Sequence, residues 1–220
     1  MRTLVVVDHP DTTSLTHHVA RRLADDIAHR GDDVAIADLH AEGFDPRFTL
    51  ADRQRYSAGG PLPCDVAAEQ RRLDDVDHLV LVFPVYWWSV PATLKGWIDR
   101  VFVRGWAFDD TAVPVERKLG HLTVHLVAVA GEDAAGFAKR GYDTAMATQL
   151  ETGVIGYCGA RLGARVTLHS SETTSPDALA RAVDDAVTSV TAAQVAAPVR
   201  TCVRFLSVGR STLSSVSGDT

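Results

Sequence analysis

The chain has 220 residues, 46% of them hydrophobic and 23% charged, and carries a net charge of −6. That length fits one domain able to bury a full sheet between helix layers, and the acidic balance excludes a general binder of nucleic acid, since nothing broadly basic is there to release counterions. Cys64, Cys158 and Cys202 are scattered without a CxxC spacing, which argues against a disulfide framework or a zinc knuckle; with no long apolar run, a membrane span and a leader segment are not expected, and the cytoplasm is the expected compartment.

Residues 3–7 read as a first strand, and Leu15, Val19, Leu23 and Ile27 recur every four residues as the inner face of a helix. Between them runs Asp8-His9-Pro10-Asp11-Thr12-Thr13-Ser14. A helix start exposes unpaired N–H groups and a partial positive charge, so a hydroxyl-rich turn there suits a phosphate group. Thr13 or Ser14 serves equally as a plain N-cap, and His9 taken alone fits a structural role.

Residues 34–39 predict the second strand. The stretch 43–63 is the longest connection without clear periodicity and reads as a packed functional loop. A helix is expected over 65–73, and a third, fully apolar strand over 78–83. That strand breaks at Phe83-Pro84 into Val85-Tyr86-Trp87-Trp88, at the carboxyl edge where doubly wound sheets bind ligands. Flat apolar rings there suit a flat ring as guest; core or interface anchoring is the other use of such tryptophans.

The next helix buries Leu94, Ile98 and Phe102, and Gly105-Trp106-Ala107-Phe108 follows as an aromatic patch suited to a subunit interface or a satellite core. A strand over 122–130 ends at Gly131, which lets backbone N–H groups approach a ligand or simply makes a turn. A helix over 142–157, a strand over 165–169 and a helix over 176–193 opened by Ser175-Pro176 complete the pattern. Five strands linked by crossover helices imply a parallel α/β sheet with helices on both faces. One domain over 1–197 and a partly mobile tail over 198–220 are expected.

Several chemistries drop out. The first loop has no GxGxxG, and the chain has neither GxxxxGK[ST] nor GxSxG. His121 and His125 lie roughly 13 Å apart if both are on one strand, and His17 and His18 point to different helix faces. No metal site is expected.

His9 with Thr13-Ser14, Ala37-Asp38-Leu39 with Phe44-Asp45-Pro46, Asp65 to Gln70, Tyr157-Cys158-Gly159 and above all FPVYWWSVPATLKGWIDRVF from Phe83 to Phe102 carry a resemblance. Over residues 1 to 190 or so, the chain resembles the flavodoxin-like NAD(P)H:quinone oxidoreductase family. The resemblance implies a flavodoxin-like doubly wound sheet of five parallel strands in the order 2-1-3-4-5. It implies a tightly held flavin, with His9, Thr13, Ser14, Leu15 and Thr16 at the phosphate end, and Pro84, Val85, Tyr86, Trp87, Trp88 and the Gly131 turn around the ring. Thr16 stands where many relatives have Asn, and Val129-Ala130-Gly131-Glu132 replaces a TTGG-like turn, removing hydroxyls and adding a carboxylate.

The implied activity is two-electron hydride transfer from NAD(P)H through the flavin to a quinone or similar flat acceptor, by a ping-pong cycle. The protein orients rings and stabilises charge while the cofactor carries the hydride. FAD is favoured because the 43–63 segment is long enough to cover an adenine; FMN is the close alternative, and that segment fits a dimer arm as well. The resemblance also implies a homodimer, with Phe108 reaching a partner's pocket and Trp106 beside it. Phe137 and Asp143 fall near positions where animal relatives carry Tyr and His; Tyr142 is the one candidate to replace them. A reductase of nitro, azo or free flavin compounds uses the same pocket, and a non-enzymatic regulatory subunit is the alternative of another class.

Overall fold

In chain order the elements are β1 (Arg2–Val7), α1 (Leu15–His29), β2 (Asp33–Asp38), α2 (Leu50–Ala58), α3 (Cys64–Asp74), β3 (His78–Pro84), α4 (Ala92–Val101), β4 (Phe108–Asp109), β5 (Glu116–Arg117), β6 (Thr123–Val129), α5 (Ala134–Arg140), α6 (Tyr142–Met146), a π-helical stretch Ala147–Gly156, β7 (Arg161–Leu168) and α7 (Pro176–Ala196). This computed structural model describes residues 1–111 and 113–196. The expected tail over 198–220 and its boundary at 197 lie outside the described residues.

Five strands form one parallel sheet in the order β2-β1-β3-β6-β7. Renumbered, this is the expected 2-1-3-4-5. Strands β3 and β6 are buried at every residue, whereas in β2 only Ala37 is buried and the rest are half-buried or exposed, as strands covered on both faces and edge strands should be. One face packs Val5, Val7, Val80 and Val82 against Val19 and Leu23 of α1 and Val183, Val187 and Val190 of α7. The other packs Leu4, Leu79, Leu81 and Phe83 against Leu73 of α3, Leu94, Trp97 and Ile98 of α4, and Leu150 and Ile155 of the π-helical stretch.

Helix α4 sits close to the segment before α2, since a Cβ on Gly96 would lie 2.2 Å from the Pro46 carbonyl oxygen. Only glycine fits there. Arg100, on the same helix, is buried and bonds Asp52 at 3.1 Å, Asp65 at 2.6 Å and the Asp45 carbonyl at 2.7 Å. One guanidinium thus ties α2 and α3 to α4.

Several boundaries differ from expectation. The 43–63 connection is not structureless: α2 is closed at its start by a reciprocal Thr49–Asp52 capping box and at its end by Gly59 in the left-handed region. Its apolar residues do not form an inner stripe; Leu50 is 72% exposed, so periodicity could not reveal it. Strand β7 starts at Arg161, not 165, because a register irregularity between Val124 and Leu126 shifts its first half. The helix expected over 142–157 is α-helical only to Met146 and then π-helical. Helix α5, capped by Asp133 onto the Gly136 N–H at 2.6 Å and ended by Gly141, and the β4–β5 ribbon were not anticipated.

The irregularity in β7 wraps a buried pair of imidazoles. His125 Nδ1 accepts the Ala164 N–H at 3.0 Å, and its Nε2 lies 3.1 Å from His78 Nδ1. A Cβ on Gly163 would lie 2.3 Å from the His125 ring.

Candidate functional site

Parallel register brings the carboxyl ends of three strands together: Val7 is beside Val82, and Pro84 beside Val129. The Asp8 N–H donates to the Val82 carbonyl at 3.1 Å and the Val85 N–H to the Val129 carbonyl at 2.8 Å. The loops after β1, β3 and β6 therefore leave one rim side by side, with neighbouring strands about 4.8 Å apart.

In the first loop, Ser14 is the N-cap of α1, its Oγ accepting the His17 N–H at 3.3 Å. Thr13 gives both its N–H and its hydroxyl to Asp11 Oδ1, at 2.8 and 2.7 Å, an Asx-type turn. Those bonds hold the Asp11 carboxyl below its usual range, the Thr13 hydroxyl first. Leu15 is half-buried and Thr16 is buried; the first-turn amides of both lack intrahelical acceptors. His9 Nδ1 lies 3.0 Å from the Asp11 backbone nitrogen and 3.2 Å from the Asp11 carbonyl oxygen, and its Nε2 has no partner among the described residues. The groups left without a partner in this loop are thus two helix amides and one imidazole nitrogen.

His17 is held against Asp38 at the end of β2, Nε2 to Oδ2 at 2.9 Å. Burial raises the Asp38 carboxyl, but the Ala41 N–H and His17 outweigh it and the net direction is down. Asp8 is 1% exposed. Its Oδ2 accepts the Leu94 N–H of α4 at 2.7 Å, and its Oδ1 lies 2.8 Å from His40 Nε2. Burial pushes this carboxyl up, opposed by the Leu94 amide and His40. Pro91, the N-cap of α4, has no capping side chain. Asp8 supplies the missing acceptor from a neighbouring strand, and its negative charge occupies the positive end of α4.

The aromatic corner is a two-residue turn. Tyr86 and Ser89 exchange backbone bonds at 3.0 Å each way, and the central residues Trp87 and Trp88 have φ of 49° and 55°. Asn and Gly favour such a turn because a Cβ clashes with the carbonyl oxygen in the left-handed region. Two tryptophans in it store strain of about 1–3 kcal/mol each. Trp87 is 88% exposed. Pro84 is buried, Val85 half-buried and Tyr86 exposed. Trp88 is half-buried because Tyr142 stacks on it, with centroids 4.2 Å apart and planes 25° apart.

Facing the corner, Gly131 and Glu132 follow β6, and their amides make no hydrogen bond among the described residues. The Glu132 carboxylate turns away onto Arg140 at 2.7 Å. Val85, Trp87, Trp88, Ala130, Gly131, Glu132 and Phe137 enclose an open slot of about 200 Å³. A hydroxyl-rich helix start, a slot with indole walls and unpaired amides beyond it stand on one rim. This donor set fits a phosphate-bearing flat ring, and a fixed pair of amides is suited to charge that develops on such a ring.

Trp106 and Phe108 are elsewhere in the chain. Trp106 donates Nε1–H to Asp74 at 2.8 Å, and Phe108 meets Tyr157 edge-on at 5.0 Å. Both are half-buried, less open than the sequence suggested. Phe108 lines a groove of about 490 Å³ with Phe48, Tyr56 and Phe102. Sequence reasoning missed the roles of Asp8 and Phe137. No local signal marks the first, whose partner lies 86 residues away. Among the described residues no cluster of side chains could hold a metal ion, and no helix is long and apolar enough to cross a membrane.

The chain belongs to the Flavodoxin_2 family, described as having a flavodoxin-like fold, whose model matches residues 1–190. It is 34% identical over 149 residues to the uncharacterized NAD(P)H oxidoreductase YcaK of Escherichia coli, covering 64% of this chain and 70% of that protein. It is 32% identical over 125 residues to the ribosyldihydronicotinamide dehydrogenase [quinone] of Pongo abelii, covering 49% of this chain and 54% of the other. The chain thus spans about half the length of the ribosyldihydronicotinamide dehydrogenases it matches. The solved structure of the NAD(P)H:quinone oxidoreductase from Methanothermobacter marburgensis has the same fold, with a TM-score of 0.79 at 21% identity over 86% of this chain and 96% of that one.

Proposed function

We propose that the chain is a flavin-dependent NAD(P)H oxidoreductase that reduces quinones or similar flat acceptors. The observation that carries this reading is the Trp87-Trp88 turn: two bulky residues held at positive φ with Trp87 almost fully exposed. Strain and exposed apolar surface coincide where a flat guest would relieve the exposure. The family and the printed activities of its relatives support the same reading.

A bound flavin would supply the redox chemistry, taking hydride from a reduced nicotinamide and giving it to the acceptor. The chain's own contribution is placement and charge. The amides of Leu15 and Thr16 and the His9 imidazole hold the phosphate end, with Thr13 and Ser14 shaping the turn. Val85 and the two indoles flank the ring, and the amides of Gly131 and Glu132 stabilise negative charge developing beside them. Tyr142 acts through Trp88, holding the wall. FAD remains the favoured form, with α2 near the adenine, and the chain pairs as a homodimer through the face that carries Phe108.

Purified protein should be yellow, bleach with NADH or NADPH without oxygen, and regain colour with a quinone. Protein that stays colourless after incubation with FAD and FMN overturns the reading. The mass of the cofactor released by heat separates the two flavins, and sedimentation gives the oligomer.

A further inference from the structure

Behind the aromatic slot lies a second cavity. Phe137, 3% exposed, lines both and is the wall between them. The inner cavity has a volume of about 210 Å³ and lies between β6, β7 and the helical stretch after α5. Its floor is hydrocarbon: Leu126 and Ala128 of β6 and Leu150 of the π-helical stretch are each at most 5% exposed. An apolar cavity of about 150 Å³ is enough to bind benzene, so a single substituted ring fits here.

Polar atoms surround that floor. Asp143 Oδ1 is buried without a hydrogen-bond partner among the described residues. His169 Nδ1 lies 3.2 Å from the Glu132 carbonyl oxygen. A carbonyl only accepts, so Nδ1 carries the proton of the neutral ring and Nε2 keeps a lone pair. The Arg165 guanidinium, its side chain 46% exposed, meets Glu151 at 2.9 Å, and Thr167 also lines the cavity. The Asp143 oxygen is thus the buried acceptor that a ligand's hydroxyl can satisfy.

We infer that this cavity binds a monocyclic phenol, its ring on Leu126, Ala128 and Leu150 and its hydroxyl donating to Asp143 Oδ1. Phenol binding does not depend on the proposed quinone reduction.

Fluorine NMR on the purified full chain tests this with 4-fluorophenol against 4-fluoroanisole, which keeps the ring and lacks the donor. Saturable binding of the phenol about tenfold tighter than the anisole is expected, the worth of one hydrogen bond to a charged acceptor. Asp143→Ala should bring the phenol level with the anisole, and Ala128→Leu, which fills the floor, should abolish both. Should Ala128→Leu fail to fold, the Asp143→Ala comparison decides alone. Trp87→Ala should leave phenol affinity unchanged. Equal affinities for the two probes, no saturable binding, or loss with Trp87→Ala but not with Asp143→Ala overturns the proposal.

Discussion

Tyr142 lies nearly flat on Trp88, ring centroids 4.2 Å apart, while Phe137 meets Tyr142 edge-on at 5.7 Å. The start of α6 thus braces the turn after β3, two elements linked by no strand pairing. Aromatic pairs of this kind contribute about 0.5–1.5 kcal/mol beyond area burial. Tyr142→Ala should cost at least that much in urea denaturation and weaken flavin retention, whereas Tyr142→Phe should keep both. A Phe variant as impaired as the Ala variant would mean that the hydroxyl, not the stack, matters.

Trp87 predicts a trade between stability and binding. Its side chain is 88% exposed and its φ is 49°, so little packing is lost on replacement while left-handed strain of about 1–2 kcal/mol is relieved by Asn. Trp87→Asn should raise the ligand-free melting temperature and lower flavin affinity. A variant less stable than the parent would show that the indole contributes packing that outweighs its backbone strain.

The buried imidazoles predict acid sensitivity. Burial pushes His125 down to about 3 and lowers His78 as well. Both folded values lie below the unfolded value of 6.5, so the unfolded chain binds more protons, and their contribution is complete above that pH and lost as pH falls through the window towards 3. The neutral His125 adds a slope of about 1.4 kcal/mol per pH unit there, and His78 acts in the same direction. Urea denaturation from pH 6.5 to 5, above the carboxylate range, should show falling stability, and His125→Gln should flatten the slope even if it lowers the plateau.

Arg100 is the cation on which the 43–63 segment depends. Burial lowers its affinity for a proton, but Asp65 and Asp52 outweigh this. Arg100→Ala leaves Asp52 buried beside it without its cation and should cost about 3–5 kcal/mol. Asp52→Asn added to that variant should restore part of the loss in a double-mutant cycle; strict additivity would show that the two groups are not coupled.

Strands β1, β3 and β6 were legible because buried parallel strands are continuous apolar runs, and α1 and α4 because Leu15, Val19, Leu23, Leu94 and Ile98 keep a helical period. Helices α2 and α5 were not, since caps at Thr49, Gly59, Asp133 and Gly141 define them more than an inner stripe. In the site, the elements carrying His9, Ser14, Val85 and Gly131 were readable from their place after strands. The positive φ at Trp87 and Trp88 was not, because nothing in two tryptophans signals a left-handed turn. The His78–His125 pair also escaped: the spacing of His121 and His125 drew attention along one strand, while the partner came from the next one across.

The buried carboxylate of Asp8 reaches the first turn of α4 with one oxygen and His40 with the other. Three chain segments from different strands are clasped at the mouth of the sheet by a single short side chain. A visitor arriving there meets a seat already assembled, so recognition should resemble a key entering a cut lock more than a hand closing on a ball.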